Sequence, residues 1–264
     1  MDNHGLDKLS AQEIVSGLDT RFVGQRVVYR PRVSSTNTLT KELADQGAPE
    51  GTLVIAEEQT AGRGRLGRCW LAPYGSSLLM SLLFRPRLRL TEAPQLAMIC
   101  ALAVRDAIRE TTGLVAQLKW PNDILIRGRK AGGILAETSS QAQHLQYIVA
   151  GIGLNVNLAP QALPAHFAAT SIAYELGHPL ERLRLLQALL YYVEARYLGL
   201  CAGVSPVDEW SAALETLGKR VCLTTLQDSW EGLATAVDEE GALLLRLDDG
   251  QTRRVLAGDV TLRR

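Results

Sequence analysis

Three glycines and three arginines share residues 62–68, GRGRLGR. Glycine lets a backbone come close to a bound molecule, and guanidinium groups clamp carboxylate or phosphate oxygens through several directed donors. The spacing of Gly62, Gly64 and Gly67 fits G-x-G-x-x-G, a pattern shared by dinucleotide sites and kinase loops. A dinucleotide site needs that loop to open a helix, whose N-terminus holds the pyrophosphate. Here Pro73 and Gly75 follow in RCWLAPYGSSLLM and forbid a helix start. A kinase loop does lie between strands, but Cys69 stands where a valine belongs, and neither H-R-D nor D-F-G occurs. No glycine-lysine-serine/threonine run exists, which excludes a Walker P-loop. Taken alone, the loop would be a solvated, flexible basic turn.

Three further stretches set isolated polar residues among small ones. KWPND, Lys119 to Asp123, lies between apolar runs, and its Pro-Asn-Asp also suits a tight turn. RKAGGILAE places Lys130 at the entrance of a strand whose Gly132 and Gly133 weaken it, as where a ligand or another backbone comes close. A surface lysine on a hairpin tip is the plainer account of Lys130. GIGLNVN, Gly151 to Asn157, carries two glycines in an otherwise apolar strand, the plain account being a β-bulge.

Alternating strands and helices must position these residues. Strands are expected at 24–33, 51–59 and 76–86, and a helix over SSTNTLTKELADQG, with capping residues Ser35, Thr36 and Asn37 and a stop at Gly47. Apolar residues at i, i+3, i+4 and i+7 predict a helix over 93–113, closed by Gly113, and a second follows at 181–200. LVAQLKWP, DILIRGRKAGGILAE and QYIVAGIGLNVN read as further strands, the middle one a hairpin turning at Arg127–Lys130. From about Thr216 the texture becomes short alternating segments separated by DEEG and DDG, ending with TRRVLAGDVTL, as in a small barrel-type β module. The division expected is a 1–215 α+β domain with a mixed sheet and a 216–264 β domain.

Twenty-eight Lys and Arg balance 28 Asp and Glu, which argues against a dedicated nucleic-acid binder. Cys69, Cys100, Cys201 and Cys222 form no C-x-x-C pair, and His4, His144, His166 and His178 have no metal spacing. The expectation is a reduced, soluble cytoplasmic protein with no structural metal, no signal peptide and no membrane span.

In combination and in this order, SSTN, EEQTAGRGRLGRCW, KWPNDILI, RKAGGILAE, GIGLNVN and the terminal DEEGALLLRLDDGQTRRVLAGDVTLR closely resemble the biotin–protein ligases. The resemblance runs from Ser34 to Arg263. It implies a catalytic domain like that of class II synthetases and lipoate ligases, and a C-terminal SH3-like β-barrel. It also implies formation of biotinyl-5′-AMP from biotin and ATP with Mg²⁺, then transfer of biotin to one lysine of a biotin carboxyl carrier protein or domain. Position by position, Ser35, Thr36 and Gln59 would hold the ureido ring. Gly62, Arg63, Gly64 and Arg65 would fold over biotin and adenylate, and Lys130 would meet the biotin carboxylate and the phosphate. Gly133, Gly151 and Gly153 would line the biotin tail. Arg65, Arg68, Trp70, Asn122, Lys130 and Arg263 would serve ATP, and Lys130, Arg65 and Asp123 the catalysis. Trp70 and Trp120 are equally of the type that fills cores. Cys69 departs from the polar residue expected at its place, a change that bears on loop mobility and leaves the clamp intact.

The chemistry agrees with these roles. A carboxylate is already ionised, so activation needs positive charge to join two anions and no general base. The adenylate is a mixed anhydride, and a loop ordered over it keeps water away. Transfer requires a carrier lysine to lose a proton, for which Asp123 is a candidate acceptor, with a turn role as the alternative. Some relatives carry an N-terminal helix-turn-helix and repress genes. With 34 residues before Ser35 and at most one short helix in LSAQEIVSGL, this chain is expected to be a ligase acting without DNA, as monomer or homodimer. Arg253 and Arg254 are then expected on a strand face and against ligand. A lipoate or other acyl-acid ligase is the alternative enzyme, and a non-catalytic phosphate- or nucleic-acid-binding module the alternative class. Ser35, Thr36 and Gln59 favour biotin, because a ureido ring asks for hydrogen-bonding partners where a dithiolane asks for apolar ones.

Overall fold

Apolar at nearly every position, SLLMSLLF reads as a strand covered on both faces, and all eight residues are buried. The structure, a computed structural model, describes residues 9–162, 168–225 and 227–262. In chain order its elements are α1 (Ala11–Ser16), β1 (Val27–Val33), α2 (Thr36–Asp45), β2 (Leu53–Gln59), β3 (Ser77–Phe84), α3 (Pro94–Thr112), β4 (Ala116–Lys119), β5 (Asp123–Ile126), β6 (Arg129–Gln141) and β7 (His144–Asn155). There follow α4 (Ile172–Leu176), α5 (Arg182–Cys201), α6 (Val207–Ala213), β8 (Arg220–Thr224), β9 (Ser229–Val237), β10 (Leu243–Arg246), β11 (Thr252–Val255) and β12 (Asp259–Leu262).

β1 to β7 form one sheet of seven strands in the order β1-β2-β3-β7-β6-β5-β4. β1 and β2 pair in parallel and the other neighbours antiparallel, the mixed sheet expected. Side chains alternate across it. Leu82 and Phe84 join the core that includes α3 and α5, whereas Leu83, with Tyr147 and Val149, packs on Ala44 and Ala48 at the end of α2. Two long helices therefore cover one face. The ten-residue α2 covers only part of the other, reaching Gly151 through Asn37 and leaving the stretch around Gly133 and Gly153 free of helix.

Local signals explain the element ends. Pro94 opens α3, and Gly113, at φ 72°, closes it with its N–H on the Arg109 carbonyl. Arg127 and Gly128, at φ 49° and 73°, make the two-residue turn of the β5–β6 hairpin. α4 and α6, of five and seven residues, are too short to carry a helical period and were not expected. TRRVLAGDVTL, read as one segment, is two strands; Gly258 lies between them, where a Cβ would sit 2.9 Å from the Thr224 carbonyl oxygen.

The last five strands form an antiparallel sheet, order β11-β10-β9-β8-β12. Trp120 welds it to the first unit. Its indole, 1% exposed, donates from Nε1 to the Gly241 carbonyl at 2.9 Å, so Trp120 is a core residue. Among the described residues no helix is long and apolar enough to cross a membrane, and no three metal-ligating side chains cluster.

Ion pairs tie α3, α5 and α6 together. Arg196 bonds both Glu209 oxygens at 2.8 Å, and Arg105 reaches the same carboxylate. Hydrogen bonds from Arg196 chiefly bring the Glu209 pKa from 4.5 to about 2, against the effect of partial burial. A depressed carboxylate contributes stability above its unfolded pKa, and that contribution disappears as pH falls through the folded value. With the side chain 47% exposed, Glu209→Gln is expected to cost about 0.3–1 kcal/mol at pH 7. In thermal melts the two proteins should converge between pH 4.5 and 2; a gap independent of pH would assign the effect to packing.

Candidate active site

The face that α2 leaves bare opens into a cavity of about 480 Å³. At one end, Gln59 finishes β2 and its Oε1 accepts from the Thr36 N–H at 2.8 Å and Thr36 Oγ1 at 3.1 Å. Gln59 thereby satisfies the first N–H of α2. Ser35 stands at the N-cap position but makes no capping hydrogen bond, contrary to its expected capping role. Ser81 Oγ lies 2.8 Å from Thr36 Oγ1 and 2.6 Å from Asn37 Oδ1, so this end is a small network of buried polar groups.

Glycines make the floor. β7 pairs in unbroken register through Gly151 and Gly153, opposite Ser81 and Leu79 on one side and Leu135 and Gly133 on the other, so no bulge occurs there. The reason for glycine is side-chain room. A Cβ on Gly153 would lie 2.7 Å from the Trp70 indole, and one on Gly151 2.2 Å from Asn37 Oδ1. Trp70 therefore lies on Gly153 and against Gly133, the positions implied for the biotin tail.

The bulge sits elsewhere, and it matters more. In the β5–β6 pair Ile124 faces Gly132 and Leu125 faces Lys130, which leaves Ala131 as an extra residue. Lys130 lies three positions before Gly133, so a regular strand would put them on opposite faces. The extra residue turns Lys130 onto the cleft face. Its ammonium is 2.5 Å from Asp123 Oδ1 and 5.7 Å from the Trp70 ring. Its backbone is fixed too, the N–H on the Ala168 carbonyl at 2.9 Å and the carbonyl on the Thr170 N–H at 2.8 Å.

The arginine loop is a folded hairpin. Trp70 N–H meets the Gly62 carbonyl at 2.9 Å and Gly64 N–H the Arg68 carbonyl at 2.7 Å. Gly62 is required because a Cβ would lie 2.5 Å from the Trp70 carbonyl oxygen, and Gly67 because the tip turns at φ 74°. The three guanidinium groups diverge. Arg63 pairs with Glu137 at 3.0 Å, Arg65 approaches Asn122 Oδ1 at 3.4 Å, and Arg68 pairs with Asp259 of β12. Asn122 in turn donates from Nδ2 to the Ile134 carbonyl at 2.7 Å. Burial lowers the pKa of Arg65, with Asp123 opposing and Arg68 adding to the effect. Burial likewise lowers Lys119, again with Asp123 opposing. Cations crowded into a partly dry cleft form a site that favours anions.

Of the residues expected from sequence, Ser35, Thr36, Gln59, Arg63, Gly64, Arg65, Arg68, Trp70, Asn122, Asp123, Lys130, Gly133, Gly151 and Gly153 line this one cleft. Gly62 lies behind the lining, against Gln59 and Trp70. Arg263 falls outside the described residues. Arg253 and Arg254 lie on β11, with their side chains on its opposite faces, and make contacts within the β unit. Arg253 lies 5.1 Å over Trp230, and Arg254 pairs with Asp238 and Glu240 at 2.5 Å. Asn37, expected only as a helix-capping residue, also lines the cleft, as do Asn155 and Asp259, which were not singled out. Asn155 is 3% exposed; its Nδ2 donates to the Thr170 carbonyl at 3.0 Å while its Oδ1 has no partner, an acceptor suited to a ligand N–H. The signal available for it was one amide ending an apolar run, overshadowed by the glycines beside it.

The chain that builds this cleft is similar to known proteins in sequence and in fold. Residues 29–155 match the biotin/lipoate A/B protein ligase family, and 216–263 the biotin protein ligase C-terminal domain. The bifunctional ligase/repressor BirA of Bacillus subtilis is 38% identical over 97% of this chain and 79% of that protein. The biotin–acetyl-CoA-carboxylase ligase of Mycobacterium tuberculosis is 36% identical over 97% of this chain and 95% of its own. The structure of biotin protein ligase from Aquifex aeolicus in complex with biotin and ATP superposes with a TM-score of 0.75 at 28% identity, covering 91% of this chain and 99% of that one. With fold and sequence in agreement over nearly its whole length, the chain belongs to the biotin protein ligases.

Proposed function

We propose that this cleft joins biotin to ATP, releasing pyrophosphate, and passes the biotinyl group from biotinyl-5′-AMP to one lysine of a carboxylase carrier protein. The observation that carries the reading is the convergence, on one bulged and glycine-floored sheet face, of Lys130 and Arg65 with the polar trio Ser35, Thr36 and Gln59. The polar trio takes the ureido ring, and the groove walled by Trp70, where its indole lies on Gly153 and against Gly133, takes the acyl tail. The tail's carboxylate then lies near Lys130. A carboxylate oxygen attacks the α-phosphorus of ATP, the bond to the β-phosphate oxygen breaks, and Lys130 and Arg65 stabilise the charge that builds on the phosphoryl oxygens. Asn122 orients Arg65, and Asn155 offers its open acceptor to a donor on the nucleotide. Arg68, released from Asp259, is within the same cleft to meet the phosphates.

Mg²⁺ enters with the ATP phosphates, for which one or two carboxylates suffice; Asp123 and Asp259 are the carboxylates lining the cleft. In the second step the carrier amine attacks the acyl carbon, AMP leaves, and one proton must be taken from the amine. Asp123 is the acceptor we assign, freed from Lys130 once the phosphoryl group draws that ammonium away. Four unpaired thiols and the need for ATP support a cytoplasmic setting.

Mass spectrometry of an apo carrier domain incubated with the protein, biotin, ATP and Mg²⁺ tests the reading. One biotinyl group added per carrier is expected, and an unmodified carrier in the presence of accumulated adenylate would contradict the transfer step. Asp123→Ala is expected to slow transfer from preformed adenylate by about 10²–10⁴-fold, the range for general bases. Unchanged transfer would leave Asp123 only the task of orienting Lys130.

A further inference from the structure

Glu137, on β6 beside the polar end, bonds three groups from two other elements. Its Oε2 accepts from Asn37 Nδ2 at 2.7 Å and from Arg63 at 3.0 Å, and its Oε1 meets Lys41 at 2.5 Å. Asn37 and Lys41 belong to α2, Arg63 to the arginine loop. We infer that Glu137 is a positioning residue which fixes the hydrogen-bonding polarity of the ring end and, through the same carboxylate, seats the arginine loop beside it. The inference deepens the biotin reading of this end and rests on it.

The polarity argument follows from donor and acceptor counts. An ionised carboxylate only accepts, so Asn37 must turn its NH₂ toward Glu137 and its Oδ1 toward Ser81. Asn37 is 4% exposed and lies flat on Gly151, whose missing side chain leaves the amide its space. Ser81 Oγ, facing that oxygen, also contacts Thr36 Oγ1, which contacts Gln59 Oε1. One carboxylate therefore sets the orientation of an amide, whose Oδ1 commits the Ser81 proton and leaves Ser81 Oγ as the acceptor facing Thr36 Oγ1. Partial burial acts to raise the Glu137 pKa, but Lys41, Asn37 and Arg63 outweigh it and keep the group below the usual carboxylate range. It stays ionised where the enzyme works. A neutral amide at 137 would offer a donor on one side, free Asn37 to flip, and leave Arg63 and Lys41 without their counter-charge.

Titration calorimetry of the full chain tests this. Glu137→Gln is expected to weaken biotin binding about 5- to 100-fold, the range for disturbing a buried hydrogen-bonded group, and ATP binding clearly less, through the loosened loop. Asn37→Ala should weaken biotin binding as well, and the double variant should be little worse than the poorer single one, because both act through one contact. Biotin binding by Glu137→Gln within twofold of wild type would overturn the inference. So would equal losses for biotin and ATP with a lowered melting temperature, which would give Glu137 to the fold alone. Failure of the wild-type protein itself to bind biotin would instead overturn the reading of the ring end.

Discussion

Lys130→Met is expected to lower biotin-dependent adenylate formation by about three orders of magnitude, or about 4 kcal/mol of transition-state stabilisation. The magnitude follows from position. The ammonium stands on the cleft face because Ala131 is looped out, is held by backbone hydrogen bonds on both sides, and lies 5.7 Å over an indole that excludes water from one flank. Methionine keeps the stem and removes the charge, so the melting temperature should fall little; the Lys130 side chain is 39% exposed and its pairing with Asp123 is partly solvated. Single-turnover formation of biotinyl-AMP, with a thermal melt as control, reads both. A rate within tenfold of wild type in folded protein would remove Lys130 from the chemistry.

Arg65→Ala comes next, with an expected loss of about 10²–10³ in adenylate formation. Among the three loop arginines it is the one turned inward. Arg63 is committed to Glu137 and Arg68 to Asp259, whereas Arg65 is drawn into the cleft by Asn122 and shielded enough for burial to lower its pKa. A guanidinium kept from water exerts a stronger field on developing phosphoryl charge than one in solvent. Because it also forms part of the cover over the adenylate, its loss should increase the release and hydrolysis of biotinyl-AMP when no carrier is present. Arg68→Ala, in a more exposed position, should show a smaller loss. Equal effects at both positions would indicate general charge attraction with no directed contact.

Sequence patterns located the elements well because hydrophobic period and end signals are local. Pro94 and Gly113 bound α3, Gly128 turns the β5–β6 hairpin, and SLLMSLLF could only be a strand covered on both faces. Most of the cleft was legible for a related reason. Its residues sit in short runs where glycine or a lone polar residue interrupts an apolar strand, and such interruptions have few structural explanations.

What escaped were properties of pairing. A bulge was the plain alternative at Gly151 and Gly153; the one in this part of the sheet lies at Ala131, since an alanine carries no mark of being unpaired and only the opposite strand reveals it. Gly151 and Gly153 make room for Asn37 and Trp70, contacts more than 80 residues apart in sequence that no local pattern encodes. Glu137 was in plain view as the last residue of RKAGGILAE, yet its three partners come from α2 and the loop. Ser35, Thr36 and Asn37 looked like helix caps, and the N-terminal donor of α2 is instead satisfied from Gln59. That exchange leaves the Ser35 hydroxyl without a capping role and makes the helix end part of the site.

Biotin-dependent exchange of labelled pyrophosphate into ATP by the purified protein bears most directly on the claim that this cleft activates biotin as its adenylate. With Mg²⁺ present, exchange is expected with biotin and to be absent with lipoate or with no acid, because the end formed by Ser35, Thr36 and Gln59 is polar. Exchange driven by lipoate, or none with biotin in protein shown to be folded, would contradict it.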